Sequence, residues 1–136
     1  MANPVVANAL DILRTRVHAE ATSAASDMRA LIVILFGIRK NASEHADPAK
    51  CPVCARIVKI VDGVAAALGT SHLPAPALCR HITVVVRELS KLAENPRSHI
   101  PERNKALIVG LCERAIQHLS RLEMATHTPT FRDVLG

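Results

Sequence analysis

The chain has 136 residues, carries 17 Lys and Arg against 12 Asp and Glu, and is 49% hydrophobic with only two Phe and no Trp or Tyr. That is one domain's worth of chain, and a core of Ala, Val, Leu and Ile suits helix packed on helix without staples. The shortage of rings argues against bases stacked on aromatics and against a ring-lined small-molecule pocket, while the net charge of +5 favours an anionic partner.

The opening residues Met1-Ala2-Asn3-Pro4 lack the basic and apolar stretches of a secretory signal. From Pro4 to Lys40, apolar or small residues recur every three or four positions: Val6, Leu10, Leu13, Val17, Glu20/Ala21, Ala24, Met28, Leu31, Leu35 and Ile38. This spacing predicts one long helix or two nearly coaxial ones. The small side chains of Ala21 to Ser26 would kink that rod or let another helix approach closely. A rod of about 35 residues is about 50 Å long, more than this domain can cover with its own helices, which predicts a homodimer. The longest apolar run, residues 30–38, falls short of the about 20 residues that span a bilayer. A cytoplasmic protein is therefore expected, with its cysteines as free thiols or metal ligands rather than disulfides.

Asp47-Pro48 reads as an N-cap with proline in the first helical position, opening a second helix that stops at Gly69. Val53, Ile57, Ile60, Val61, Val64 and Leu68 are its expected inner face. The third helix is predicted from Ala77 to Glu94, with Leu78, Ile82, Val85, Leu89 and Leu92 inward, and is stopped by Asn95-Pro96. The β-branched run Ile82 to Val86 fits a helix because the apolar period continues on both sides. The fourth helix is predicted from Pro101 to Ala125, with Leu107, Leu111, Ala115, Leu119 and Leu122 inward. The expected fold is all-α: a long N-terminal helix followed by three antiparallel helices, resembling a four-helix bundle. Residues 1–126 make one domain, and 127–136 read as an extended or disordered tail.

No catalytic motif emerges, so the protein reads as a non-enzyme without a cofactor. The seven histidines form no HExxH, and the glycines are too scattered for a phosphate-cradling loop. Cys51-Pro-Val-Cys54 has the spacing of half a zinc site. In an up-and-down bundle His45 and His99 would lie near it, but one such pair is weak grounds for a metal, and half-buried cysteines are the preferred reading.

What stands out is a pair of cationic rows. At about 100° per residue, Arg103, Arg114 and Arg121 share one line of the fourth helix, and Arg80, Arg87 and Lys91 share one line of the third. Arg103 and Arg121 are about 27 Å apart along the axis, comparable to one turn of an A-form duplex. Two such rows turned the same way would contact phosphates and 2′-hydroxyls of double-stranded RNA, which is recognised by shape and needs no aromatic stacking. Arg56 and Lys59 add a further patch on the second helix. Glu88, Glu113 and Glu123 lie beside the rows and compete for them as surface ion pairs. In size, charge and predicted helices the chain is similar to the small helical silencing suppressors of nodaviruses, which dimerise and lay antiparallel helices along duplex RNA. No residue motif carries that similarity, so it transfers no site. The alternative reading is a helical adaptor or scaffold for a protein partner, favoured by the stretch Leu31 to Ile38, apolar nearly all round.

Overall fold

The computed structural model describes residues 4–44, 51–69 and 74–125, with side chains from residue 23 onward. Four helices follow one another, α1 (Pro4–Ser43), α2 (Pro52–Gly69), α3 (Pro76–Glu94) and α4 (Glu102–Ala125), and no strand occurs among the described residues. Residues 126–136, which include the expected tail 127–136, lie outside the described residues, as do His45 and the Asp47-Pro48 start.

Proline sets where the helices begin. A proline in the first turn forfeits no hydrogen bond and arrives with its φ already helical. Pro52 opens α2, Pro76 opens α3, and Pro101 precedes α4, where its carbonyl accepts the Lys105 N–H at 2.9 Å. The observed start of α2 corrects the expected one. Cys51 caps it, its carbonyl accepting the Ala55 N–H at 3.1 Å and its thiol the Cys54 N–H at 3.4 Å. At the other end of the chain's second hairpin, Pro96 blocks continuation of α3. The corner that follows is tied by Asn95 Oδ1 to the Arg97 N–H at 2.9 Å and by Ser98 Oγ to the Ile100 N–H at 3.2 Å. Those bonds satisfy the backbone while Ser98 and Ile100 are buried.

Each helix packs on its neighbours in the order α1, α2, α3, α4 and back to α1, with α4 most extensively in contact, so α2 stands diagonally across from α4. This is a helical bundle. One core cluster joins all four helices, centred on Leu31, Leu35, Ile38, Ile57, Ile82, Leu89, Ile108 and Leu119. The inner face of α4 differs from the expected one. Ile108 and Cys112 are buried, whereas Leu107 is 47% exposed and Leu111 is half-buried. A free thiol packs as a small hydrophobe. The first half of the stripe is thus displaced by one residue, while Ala115, Leu119 and Leu122 are buried as expected. The same effect moves α3, where Cys79, Val86 and Ala93 are buried and Val85 and Leu92 only half so.

α1 and α4 run antiparallel in a readable register. Asn104 donates to Asn41 at 3.0 Å, Gly37 faces Leu111, and Asp27 meets His118 and Arg121. Continued along the helices, that register sets Ala125 beside about residue 21. About the first 17 residues of α1, some 25 Å of helix, therefore have none of the described residues of α4 opposite them. The helix is continuous through Ala21 to Ser26.

Candidate nucleic-acid interface

α4 lies between α1 and α3, and its charges divide between the two sides. Arg103, Arg114 and Arg121 are exposed and lie within about 20° of one line, on the flank that also carries His118 and Asn104 toward α1. Glu102, Glu113 and Glu123 lie about 80 to 160° around the helix in the other sense, toward α3. Arg103 and Arg114 have no ion-pair partner among the described residues.

On the α1 side one carboxylate is drawn inward. Asp27 lies on the same stripe of α1 as Ala24 and Leu31 and is only 7% exposed. Its Oδ1 accepts the His118 Nδ1–H at 2.6 Å and the Arg121 Nε–H at 3.1 Å. A buried carboxylate is tolerable because both donors come from α4 and one is a permanent cation. Arg121 Nη2 also lies 3.1 Å from His118 Nδ1, yet the side chain is 59% exposed, so these contacts orient the guanidinium without consuming it. Between Asp27 and the far end of the seam, Arg29 of α1 and Arg114 of α4 flank a shallow groove of about 360 Å³ lined by Ser26, Ala30, Val33 and Ile34. At that far end Lys40 pairs with Glu44 at 3.6 Å.

The α3 row is different. Arg80 gives its Nη1 to Glu123 of α4 at 3.0 Å, and Lys91 pairs with Glu88 at 3.3 Å, leaving Arg87 as the member without a carboxylate partner among the described residues. The contact with Glu123 places the α3 row on the α3–α4 edge. The α4 row lies on the α1–α4 edge. The expectation of two rows turned the same way is thereby corrected: they occupy adjacent faces, because each helix's neighbour lies on the opposite flank. Arg56 and Lys59 are exposed without ion-pair partners among the described residues, but α2 is diagonal to α4, so they share no face with Arg103, Arg114 and Arg121.

All four cysteines are free and buried. Cys54 Sγ stands 2.8 Å from Cys51 Sγ at the head of α2. Burial acts to raise the Cys51 thiol, but hydrogen bonds from Cys54 and from the backbone N–H groups of His99, Cys54 and Val53 outweigh it and hold Cys51 below its ordinary 9.0. Cys54 is pushed up to about 12, first by burial and then by Cys51. The corner before α4 thus does approach the pair, through the His99 backbone, while His99 as a whole is exposed. Among the described residues no three His, Cys, Asp or Glu side chains gather as a metal site.

Asp27, Arg29 and His118 were not foreseen as members of this surface. One signal existed for Asp27: it is a carboxylate on an otherwise apolar stripe, three residues after Ala24 and four before Leu31. Arg29 had none, since its relation to Arg114 depends on the register between α1 and α4. No family model, no curated protein and no solved structure matches the chain. Among the described residues no helix is long and apolar enough to cross a membrane.

Proposed function

We propose that the protein is a non-enzymatic, cytoplasmic nucleic-acid-binding protein that grips the backbone of double-stranded RNA, in the manner of a viral suppressor of RNA silencing. The observation that carries this reading is the Arg103, Arg114 and Arg121 row, about 27 Å long, with every carboxylate of α4 on the opposite flank. Binding by phosphate and shape is compatible with a chain almost devoid of aromatic residues. A homodimer belongs to the same proposal. About 17 residues of α1 extend past α4, with Val6, Leu10, Leu13 and Val17 spaced for a helical partner.

The test is a mobility-shift comparison of duplex RNA, duplex DNA and single strands. Duplex RNA should bind best and without sequence preference. Affinity should fall steeply between about 50 and 300 mM salt as neutralised phosphates release counterions. Salt-independent binding, or none, refutes the reading.

A second reading, a helical protein adaptor, is favoured by Val33 at 70% and Phe36 at 56% exposure on α1. If it holds, the purified protein carries no nucleic acid. Replacing Val33 and Phe36 by Ser then abolishes capture of a discrete protein partner.

A further inference from the structure

The two cationic rows face different ways, so a rigid duplex lying on one face cannot use both fully. We propose that duplex RNA docks on the α1–α4 face, with Arg29 of α1 joining Arg103, Arg114 and Arg121 of α4 as phosphate contacts, and that the α3 row takes no part. This assignment rests on the nucleic-acid reading above and specifies its surface.

Three observations converge on that face. The first is charge purity. Between Ser23 and Ser43 the only carboxylate on α1 is Asp27, which is buried and already bonded to His118 and Arg121. The acidic residues of α4 all lie on its α3 side. Among the described residues, a phosphate approaching the α1–α4 seam therefore meets cations from both banks, and meets an exposed carboxylate at Glu44, just past the end of α1, where it is paired with Lys40. On the α3–α4 edge the same phosphate would pass Glu88, Glu94, Glu102, Glu113 and Glu123. It would also have to displace Glu123 from Arg80 and Glu88 from Lys91.

The second is preparation. Arg121 is held by its Nε to Asp27, with its Nη2 3.1 Å from His118 Nδ1, which fixes the plane of the guanidinium while the side chain stays 59% exposed. Guanidinium orientation matters for phosphates because the fork is planar and bonds two oxygens at once. The third is shape. The shallow groove between Arg29 and Arg114 is lined by Ser26, Ala30, Val33 and Ile34, so a sugar-phosphate strand can settle between the two arginines over short side chains.

The experiment compares three proteins by fluorescence anisotropy on a labelled RNA duplex of about 20 base pairs. One is wild type. The second carries Arg29→Ala, Arg103→Ala and Arg114→Ala. The third carries Arg80→Ala, Arg87→Ala and Lys91→Ala, an equal loss of charge on α3. All six residues are exposed, and circular dichroism checks that the helices persist. The α1–α4 variant is expected to lose at least about tenfold in affinity, with its slope of log K against log salt flatter by about 3. The α3 variant is expected to stay within about twofold of wild type. Replacing the same three seam residues by Lys should restore most of the salt dependence. Equal losses in the two Ala variants, or a loss confined to the α3 variant, overturn the assignment of the face and leave the nucleic-acid reading standing. A wild-type protein that binds no duplex overturns both.

Discussion

The α1 side and the α3 side of α4 began with similar raw material, a row of cations, and diverge because of what the neighbouring helix supplies. Along α1 the neighbour brings Arg29 and a single carboxylate, Asp27, set deep enough to bind two α4 side chains without facing solvent. Along α3 the neighbour brings Arg80, and α4 answers with Glu123 on the surface. The first arrangement leaves an outward positive field; the second cancels it locally. A cationic row on a helix thus becomes a binding surface only when the adjoining helix leaves it uncompensated. Their energetics differ too, since removing one partner of a pair shielded from water leaves a buried charge uncompensated, whereas breaking a pair screened by water costs little.

The largest way to break the comparison is to loosen the helix both sides share. Leu119→Ala, at a side chain with no exposure, should cost about 3 kcal/mol in urea unfolding, whereas Leu107→Ala, at 47% exposure, should cost under about 1 kcal/mol. A reversed order would return α4 to the face expected from sequence. Next comes the buried carboxylate. Asp27→Ala deprives His118 and Arg121 of their acceptor and should cost about 2 kcal/mol. A neutral outcome would mean that the seam does not depend on this contact.

Alkaline pH probes the core beneath both edges. Burial first, then Glu113, pushes Cys112 up to about 12, and burial pushes Cys54 to about 12, against an ordinary 9.0. A thiol whose folded pKa is raised contributes stability that is complete below 9.0 and lost as pH climbs toward 12. Unfolding free energy in urea should therefore fall above pH 9, by about 1 kcal/mol for Cys112 at about pH 10. The Cys112→Ala variant should show a shallower decline. Parallel declines in the two proteins would show that this thiol is not protected from ionisation.

Smaller effects compare positions on the seam with open ones. Gly110→Ala in α4 meets nothing within 4 Å and should stabilise by about 0.5 to 1 kcal/mol through helix propensity. Gly37→Ala should gain little, because its new methyl would sit 3.2 Å from Leu111 Cδ1. Smallest of all, Glu123→Ala at the exposed pair with Arg80 should change stability by no more than about 0.5 kcal/mol. A larger loss there would make the α3 edge as tightly fastened as the α1 seam.

Much of the helical layout was legible before any coordinates. Prolines at 76, 96 and 101 bounded α3 and the start of α4 within a residue, because proline's lack of an N–H is a local fact. The rows of cations on α3 and α4 were legible for the same reason, being a matter of angular spacing on one helix. The relation between the rows was not. It depends on which flank of α4 meets α1, and that is settled by Ile108, Cys112 and Leu119 entering a core shared by all four helices. Leu107 and Leu111 satisfy the helical period as well as Ile108 and Cys112 do, so spacing alone did not choose between them.

Periodicity, proline placement and charge spacing were thus enough for an all-helical chain with basic faces, since each acts within a few residues along the backbone. Which basic face stays open is decided by packing. The burial of Asp27 between helices 91 residues apart in the chain and the pairing of Arg80 with Glu123 are contacts between distant segments, and no local pattern encodes the register that brings them together.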